Sequence, residues 1–156
     1  MPTLITKTLK KDGSGDYTTI AAFLAAEAKD LVSADEVLRL NIFKSGWNRD
    51  TPLLTGFDSF DAFNTDATRR IEMVVVEADR HDFRPDTGFV LSDTSGYVLL
   101  PYNEHVLFEG IEFADIAGSF VFYQSTNTVL KSCLIYECNN LVFEGEMYNC
   151  VVWGVG

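Results

Sequence analysis

The residues in this chain best suited to chemistry are its late carboxylates: Glu109 and Glu112, then Glu137, Glu144 and Glu146. Two carboxyl groups facing one another across a groove are what glycoside hydrolysis requires, one as acid and the other as nucleophile or base. Gathered more tightly, the same groups hold calcium. Glu109, Glu112, Glu144 and Glu146 therefore form one candidate acidic cluster. The plainer expectation is a solvated outer face, because outward strand positions are polar in any case. A second candidate is His81 in Asp79-Arg-His-Asp-Phe-Arg84, an imidazole that Asp79 or Asp82 would orient as a general base. Its alternative is a surface loop held by local ion pairs. His105 opens a strand after a turn and reads as structural. Ser14 in Gly13-Ser-Gly15 lacks the frame of a nucleophile elbow, and that loop lacks the lysine of a phosphate cradle. Trp47, Tyr97, Tyr102, Tyr123, Tyr136 and Trp153 have faces for stacking on sugars, and core or rim packing is the competing use of each. The residues assemble no catalytic set, metal site or cofactor motif.

The bulk properties narrow the classes. The chain has 156 residues and a net charge of −11, and 47% of its residues are hydrophobic. This describes one structural domain with enough apolar side chains for a core. The acidity argues against nucleic acid and against anionic membrane surfaces, both of which require basic patches. No apolar run nears the roughly 18 residues of a membrane helix, and the N-terminal stretch lacks the apolar segment of a signal peptide. Synthesis in the cytoplasm is the expectation.

The elements that must position any site are organised by a repeat. Phe108-Glu-Gly-Ile111-Glu-Phe113 aligns with Leu130-Lys-Ser-Cys133-Leu-Ile135 and then with Met147-Tyr-Asn-Cys150-Val-Val152. Ser119-Phe-Val-Phe122 aligns with Asn140-Leu-Val-Phe143. The offsets are 22 (108 to 130), 17 (130 to 147) and 21 (119 to 140) residues. A repeat near 20 residues, built from short apolar strands and small polar turns, predicts a stack of parallel strands, a solenoid with one rung per repeat. A β-sandwich shares the strand spacing but not the in-register motif. Cys133 and Cys150 hold matching positions and are expected to stack as small apolar side chains. A disulfide between them is the alternative, disfavoured in a reducing compartment.

Before the repeat, 3–11 predicts a first strand. A helix is predicted over about 19–29, with Thr18 or Thr19 as cap, and a second helical turn over 33–36 with Ser33 as cap. Strand 37–43 has Leu38, Leu40 and Ile42 facing inward. Residues 44–70 read as a long surface insertion with a short strand at 53–57. Strand 71–76 follows, then a surface loop over 77–88, then strands at 88–91, 97–100 and 105–108. The division is an N-terminal strand and capping helix over 1–36, and rungs over 37–156.

Gly13-Ser-Gly-Asp-Tyr-Thr-Thr-Ile20, followed by an alanine-rich helix, resembles the opening of right-handed parallel β-helix proteins of the pectate-lyase-like superfamily, and of phage spike and fibre proteins. The resemblance implies an all-β, right-handed parallel β-helix with an N-terminal capping α-helix. The scaffold hosts lyases, esterases, hydrolases and inert spikes, so function must come from the site. The Gln-Asp pair and the Asp-Phe-Ile-Phe-Gly segment of pectinesterases are absent. Asn64-Thr-Asp66 matches one of four polygalacturonase motifs, without the other three.

The last stretch, Val151-Val-Trp-Gly-Val-Gly156, contains nothing to close the stack, so Cys150, Val151, Val152, Trp153 and Val155 are expected to meet another subunit or a continuation of the chain. The expectation is a non-enzymatic structural component of a bacteriophage virion, a spike, fibre or decoration subunit. It would be partnered by other virion proteins or by copies of itself, and would have no cofactor. The alternatives are a carbohydrate-active lyase or hydrolase, and an adhesin for a surface glycan.

Overall fold

The computed structural model describes residues 1–46, 58–92, 99–101, 104–114, 119–121, 126–138 and 140–154. Strand β1 (Thr3–Leu9) leads to helix α1 (Ile20–Glu27), the single turn α2 (Leu31–Ala34) and strand β2 (Glu36–Ile42). Short strands follow: β3 (Asp58–Ser59), β4 (Ile71–Val75), β5 (Phe89–Ser92), β6 (Leu99–Leu100), β7 (Val106–Glu109) and β8 (Ile111–Ala114). The series ends with β9 (Ser119–Val121), β10 (Thr128–Lys131), β11 (Leu134–Tyr136), β12 (Asn140–Val142), β13 (Glu146–Tyr148) and β14 (Val151–Trp153). The chain is mostly β, and the pairings between these strands are parallel.

Six strands form one sheet in the order β1-β2-β4-β7-β10-β13, and four form a second, β5-β8-β11-β14. The pairs β9-β12 and β3-β6 stand apart. The repeat seen in the sequence is the register of these sheets. Phe108 pairs with Leu130 and Leu130 with Met147; Phe113 pairs with Ile135 and Ile135 with Val152; Ser119 pairs with Asn140. Side chains therefore stack in columns. Leu40, Met73, Phe108 and Leu130 form one, and all four are buried in the main core. Burying each such side chain contributes about 1.5–3 kcal/mol.

The turn between the two sheets has a recurring structure. Gly110, Ser132 and Asn149, aligned in the repeat, all adopt positive φ (77°, 50° and 52°). A cysteine follows two of them, and a third cysteine follows Glu137, whose φ is 55°. Each thiol donates to the carbonyl two residues back: Cys133 to Lys131, Cys150 to Tyr148 and Cys138 to Tyr136, all at 3.4 Å. Two of these carbonyls already accept a backbone amide, Lys131 from Gly110 at 3.0 Å and Tyr148 from Ser132 at 2.9 Å, so the thiol is a second, weak donor to them. Cys133 lies in the main core and Cys150 packs against it, as small apolar side chains stacked in successive turns.

At the N-terminal end, Thr19 accepts from Ala22 N–H at 3.1 Å and caps α1, which buries Ile20, Phe23 and Leu24. The second helical turn begins earlier than expected. Asp30, not Ser33, is its cap, because the carboxylate accepts both the amide and the hydroxyl of Ser33, and Glu36 already belongs to β2. The 44–70 stretch is not wholly a surface insertion. Phe60 and Phe63 sit in the core between exposed acidic and polar neighbours, and Phe60 meets Phe108 edge-on at 6.4 Å. The strand expected at 53–57 lies outside the described residues. Among the described residues no helix is long and apolar enough to cross a membrane.

Candidate functional site

Residues 77–88 run over the surface as expected, most of them exposed, with only His81 and Gly88 buried. They form a strap that opens with a 3-10 turn at Glu77–Asp79 and covers the outer side of the four-stranded sheet. Polar groups that the sequence places outward are sealed beneath it. Glu112 on β8 is fully buried. Its carboxylate accepts the amide of Asp86 at 2.7 Å, the amide of Gly88, and the Tyr136 hydroxyl at 3.1 Å. Tyr136 also lies 3.2 Å from Asp86 Oδ1. Burial, then the charges of Glu112 and Asp86, hold the phenol well above its ordinary range. Val90, Ala114, Leu134 and Tyr136 make a small second core under the strap.

His81 sits in this layer, and its Nδ1 accepts the Phe83 amide at 3.2 Å. The other ring nitrogen, Nε2, is buried without a hydrogen-bond partner. The Ser132 backbone favours the protonated ring from nearby but lies outside hydrogen-bonding geometry. Burial pushes the imidazole below its usual 6.5, against the pull of Glu112 and Asp82 and with the push of Arg80. Neither expected orienting carboxylate reaches the ring. Asp79 accepts the Lys44 amide at 3.0 Å, and Asp82 accepts the Thr87 hydroxyl at 2.9 Å. The general-base arrangement is absent because both acids hold the strap in place.

The four candidate glutamates do not converge. Glu109 is neutralised by Arg80 at 2.9 Å and Lys131 at 3.3 Å, whereas Glu112 is sealed under the strap. Glu144 and Glu146 are exposed, and Glu146 accepts the Tyr148 hydroxyl at 2.7 Å. The expected solvated face is therefore half right: alternation sets the direction of a side chain, but the strap decides which outward groups meet water. Among the described residues, no group of three or more His, Cys, Asp or Glu side chains is placed to hold a metal ion. Asn64-Thr-Asp66 is a brace. Asn64 exchanges backbone bonds with Lys29 and Leu31, and Asp66 accepts from Thr68 and Arg69, which holds its carboxyl far below the usual range.

No protein-family model, no curated protein and no solved structure matches this chain.

Two surface features remain. The first is a cavity of about 250 Å³ over Leu107 and Val129, rimmed by Arg70, His105, Thr126, Asn127 and Glu146. Arg70 is already bound to Glu72, which also takes Arg39 at 2.5 Å, so two guanidinium groups share one carboxylate there. The main chain of His105 is engaged on both sides, its amide donating to Thr65 Oγ1 at 2.7 Å and its carbonyl accepting from the Ile71 amide at 3.1 Å, and the residue lines the cavity. The sequence offered no signal for this grouping, because its members come from separate turns.

The second is the far edge of both sheets. Leu130, Leu134, Ile135 and Tyr136 are 0% exposed, whereas their register partners Met147, Val151, Val152 and Trp153 are 37%, 39%, 43% and 48% exposed. Cys150 is half-buried, and Val155 lies outside the described residues. Among the described residues no strand pairs with the outer side of β13 or β14. Of the stacking aromatics, Tyr136 is buried beneath Trp153, and Trp47, Tyr97, Tyr102 and Tyr123 lie outside the described residues.

Proposed function

We propose that this chain is a structural subunit of a larger assembly, built as a right-handed parallel β-helix and joined to its partner through the β13–β14 edge. The observation that carries this reading is the contrast in exposure within each column. Side chains that are sealed one strand earlier are open here, together with unpaired strand backbone, a template for association. At the other end α1 packs against part of β1, although Leu4 on that strand stays 49% exposed. The column through Leu40 ends at Lys7, which pairs with Glu27 of α1 at 2.9 Å. Alternation of strands between two parallel sheets, in one register, supports the solenoid.

The setting proposed is a bacteriophage virion, as a spike, fibre or decoration subunit, partnered by copies of itself or by other virion proteins. Its support is the resemblance of 13–20 to the opening of such proteins and the absence of a converging acid pair among the described residues. Light scattering on the purified chain tests the assembly. An oligomer, or a stable complex with a virion protein, is the expected result.

The cavity over Leu107 and Val129 favours a second reading, a glycan-binding adhesin, because donors and acceptors ring an apolar floor. Glycan-array binding without product release would single it out.

A further inference from the structure

We propose that Cys133 and Cys150 are a redox pair, joined by a disulfide when the free chain meets a low-molecular-weight disulfide or a comparable thiol oxidant. The register places them face to face: Lys131 pairs with Tyr148 and Leu134 with Val151, so the residues between, 132–133 and 149–150, stack in order. The Val151 amide bonds the Cys133 carbonyl at 3.0 Å, which fixes the two backbones beside one another. Adjacent strands lie about 4.8 Å apart, inside the roughly 4.4–6.8 Å Cα separation that a disulfide spans. The Cβ atoms must close to within about 3.5–4.5 Å. The Cys150 side has room to give, since among the described residues nothing pairs beyond β13 and β14.

The two thiols have different roles. Cys133 is fully buried and Cys150 half-buried, so the oxidant enters at Cys150. The neighbouring Cys133 thiol draws the Cys150 thiol down to about 6, whereas burial pushes Cys133 well up. The Cys150 thiolate attacks one sulfur of the small disulfide, forming a mixed disulfide and releasing one small thiolate. Cys133 then loses its proton and attacks the Cys150 sulfur, and the second small thiol leaves. In sum, two protein thiols become one disulfide and one small disulfide becomes two thiols. Cys138 belongs to the next turn, after Glu137, and takes no part. The bond links the last two rungs across 17 residues (133 to 150), tying down the open edge. This inference does not depend on the assembly reading.

The test is to treat the full chain with oxidised glutathione under native conditions, alkylate it and map its peptides by mass. The expected product is a Cys133–Cys150 cross-link, two hydrogens lighter, with a Tm rise of roughly 5 °C or more that dithiothreitol reverses. Cys150→Ser, a half-buried site, abolishes it, while Cys138→Ser leaves it intact. Recovery of Cys150 only as a glutathione adduct or in a dimer between chains, with Cys133 still alkylatable after unfolding, overturns the proposal. So does a cross-link through Cys138.

Discussion

Trp153 lies over Tyr136 across the last pair of parallel strands, ring centroids 5.9 Å apart and planes 34° from parallel, yet Tyr136 is fully buried and Trp153 is 48% exposed. One sheet position thus has two environments. Trp153 completes the cover over Tyr136 and offers its own outer face to solvent. A large aromatic held in that way is the kind of anchor that dominates association energies.

The strap depends on Glu112. Removing its carboxylate takes the short acceptor from the Gly88 amide and leaves the Asp86 amide and the Tyr136 hydroxyl with their longer contacts at 3.2 Å, to the Tyr136 oxygen and to Asp86 Oδ1. Glu112→Ala should cost about 3–5 kcal/mol in urea unfolding, and Tyr136→Phe about 1.5–3. Hydrogen exchange gives the specific check: in Glu112→Gln the Asp86 and Gly88 amides should lose protection before those of β8. Unchanged protection there would mean that the strap is held by its other contacts alone.

His81 should make the fold sensitive to mild acid. Its folded-state pKa lies below the unfolded value near 6.5, so the unfolded chain binds more protons once the pH drops under 6.5. The stability linked to this group is fully present above that value and is lost as pH falls from 6.5 toward the lower folded pKa. Urea midpoints between pH 7.5 and 5 should fall in the wild type and fall less in His81→Phe. Parallel curves for the two proteins would contradict the buried neutral ring.

Gly110 meets two constraints at once. Its φ is +77°, and a Cβ there would lie 2.9 Å from Arg80 Cγ, on the side chain that reaches Glu109. Gly110→Ala should cost about 1–3 kcal/mol, with the conformational part near 1–2. Pairing it with Arg80→Ala separates the terms: the double variant should recover the steric share and keep the conformational one. Full additivity of the two losses would show that Arg80 does not crowd this site.

The β register was legible in the sequence because a stack repeats its columns. Phe108, Leu130 and Met147 align as letters for the same reason that they pair as strands. The first helix was legible from Thr19 and the apolar spacing of Ile20, Phe23 and Leu24. Burial on the outer side was not. Alternation says that Glu112 and Tyr136 point away from the main core, but not that residues 77–88 fold back over them. The positive-φ turns were partly legible: Gly110 and Asn149 are types that tolerate left-handed backbone, whereas Ser132 and Glu137 carry no such mark. The cavity escaped notice because His105, Asn127 and Glu146 meet only once the register is known.

Multi-angle light scattering of the wild type beside Trp153→Asp decides whether the β13–β14 edge is covered in an assembly. The expected result is a wild-type mass that is a multiple of 17.4 kDa or a stable complex with a virion protein, and a Trp153→Asp chain that keeps its β-sheet circular dichroism but falls to 17.4 kDa. A wild type that stays a monodisperse 17.4 kDa monomer at all concentrations, and that joins no virion protein, would contradict it.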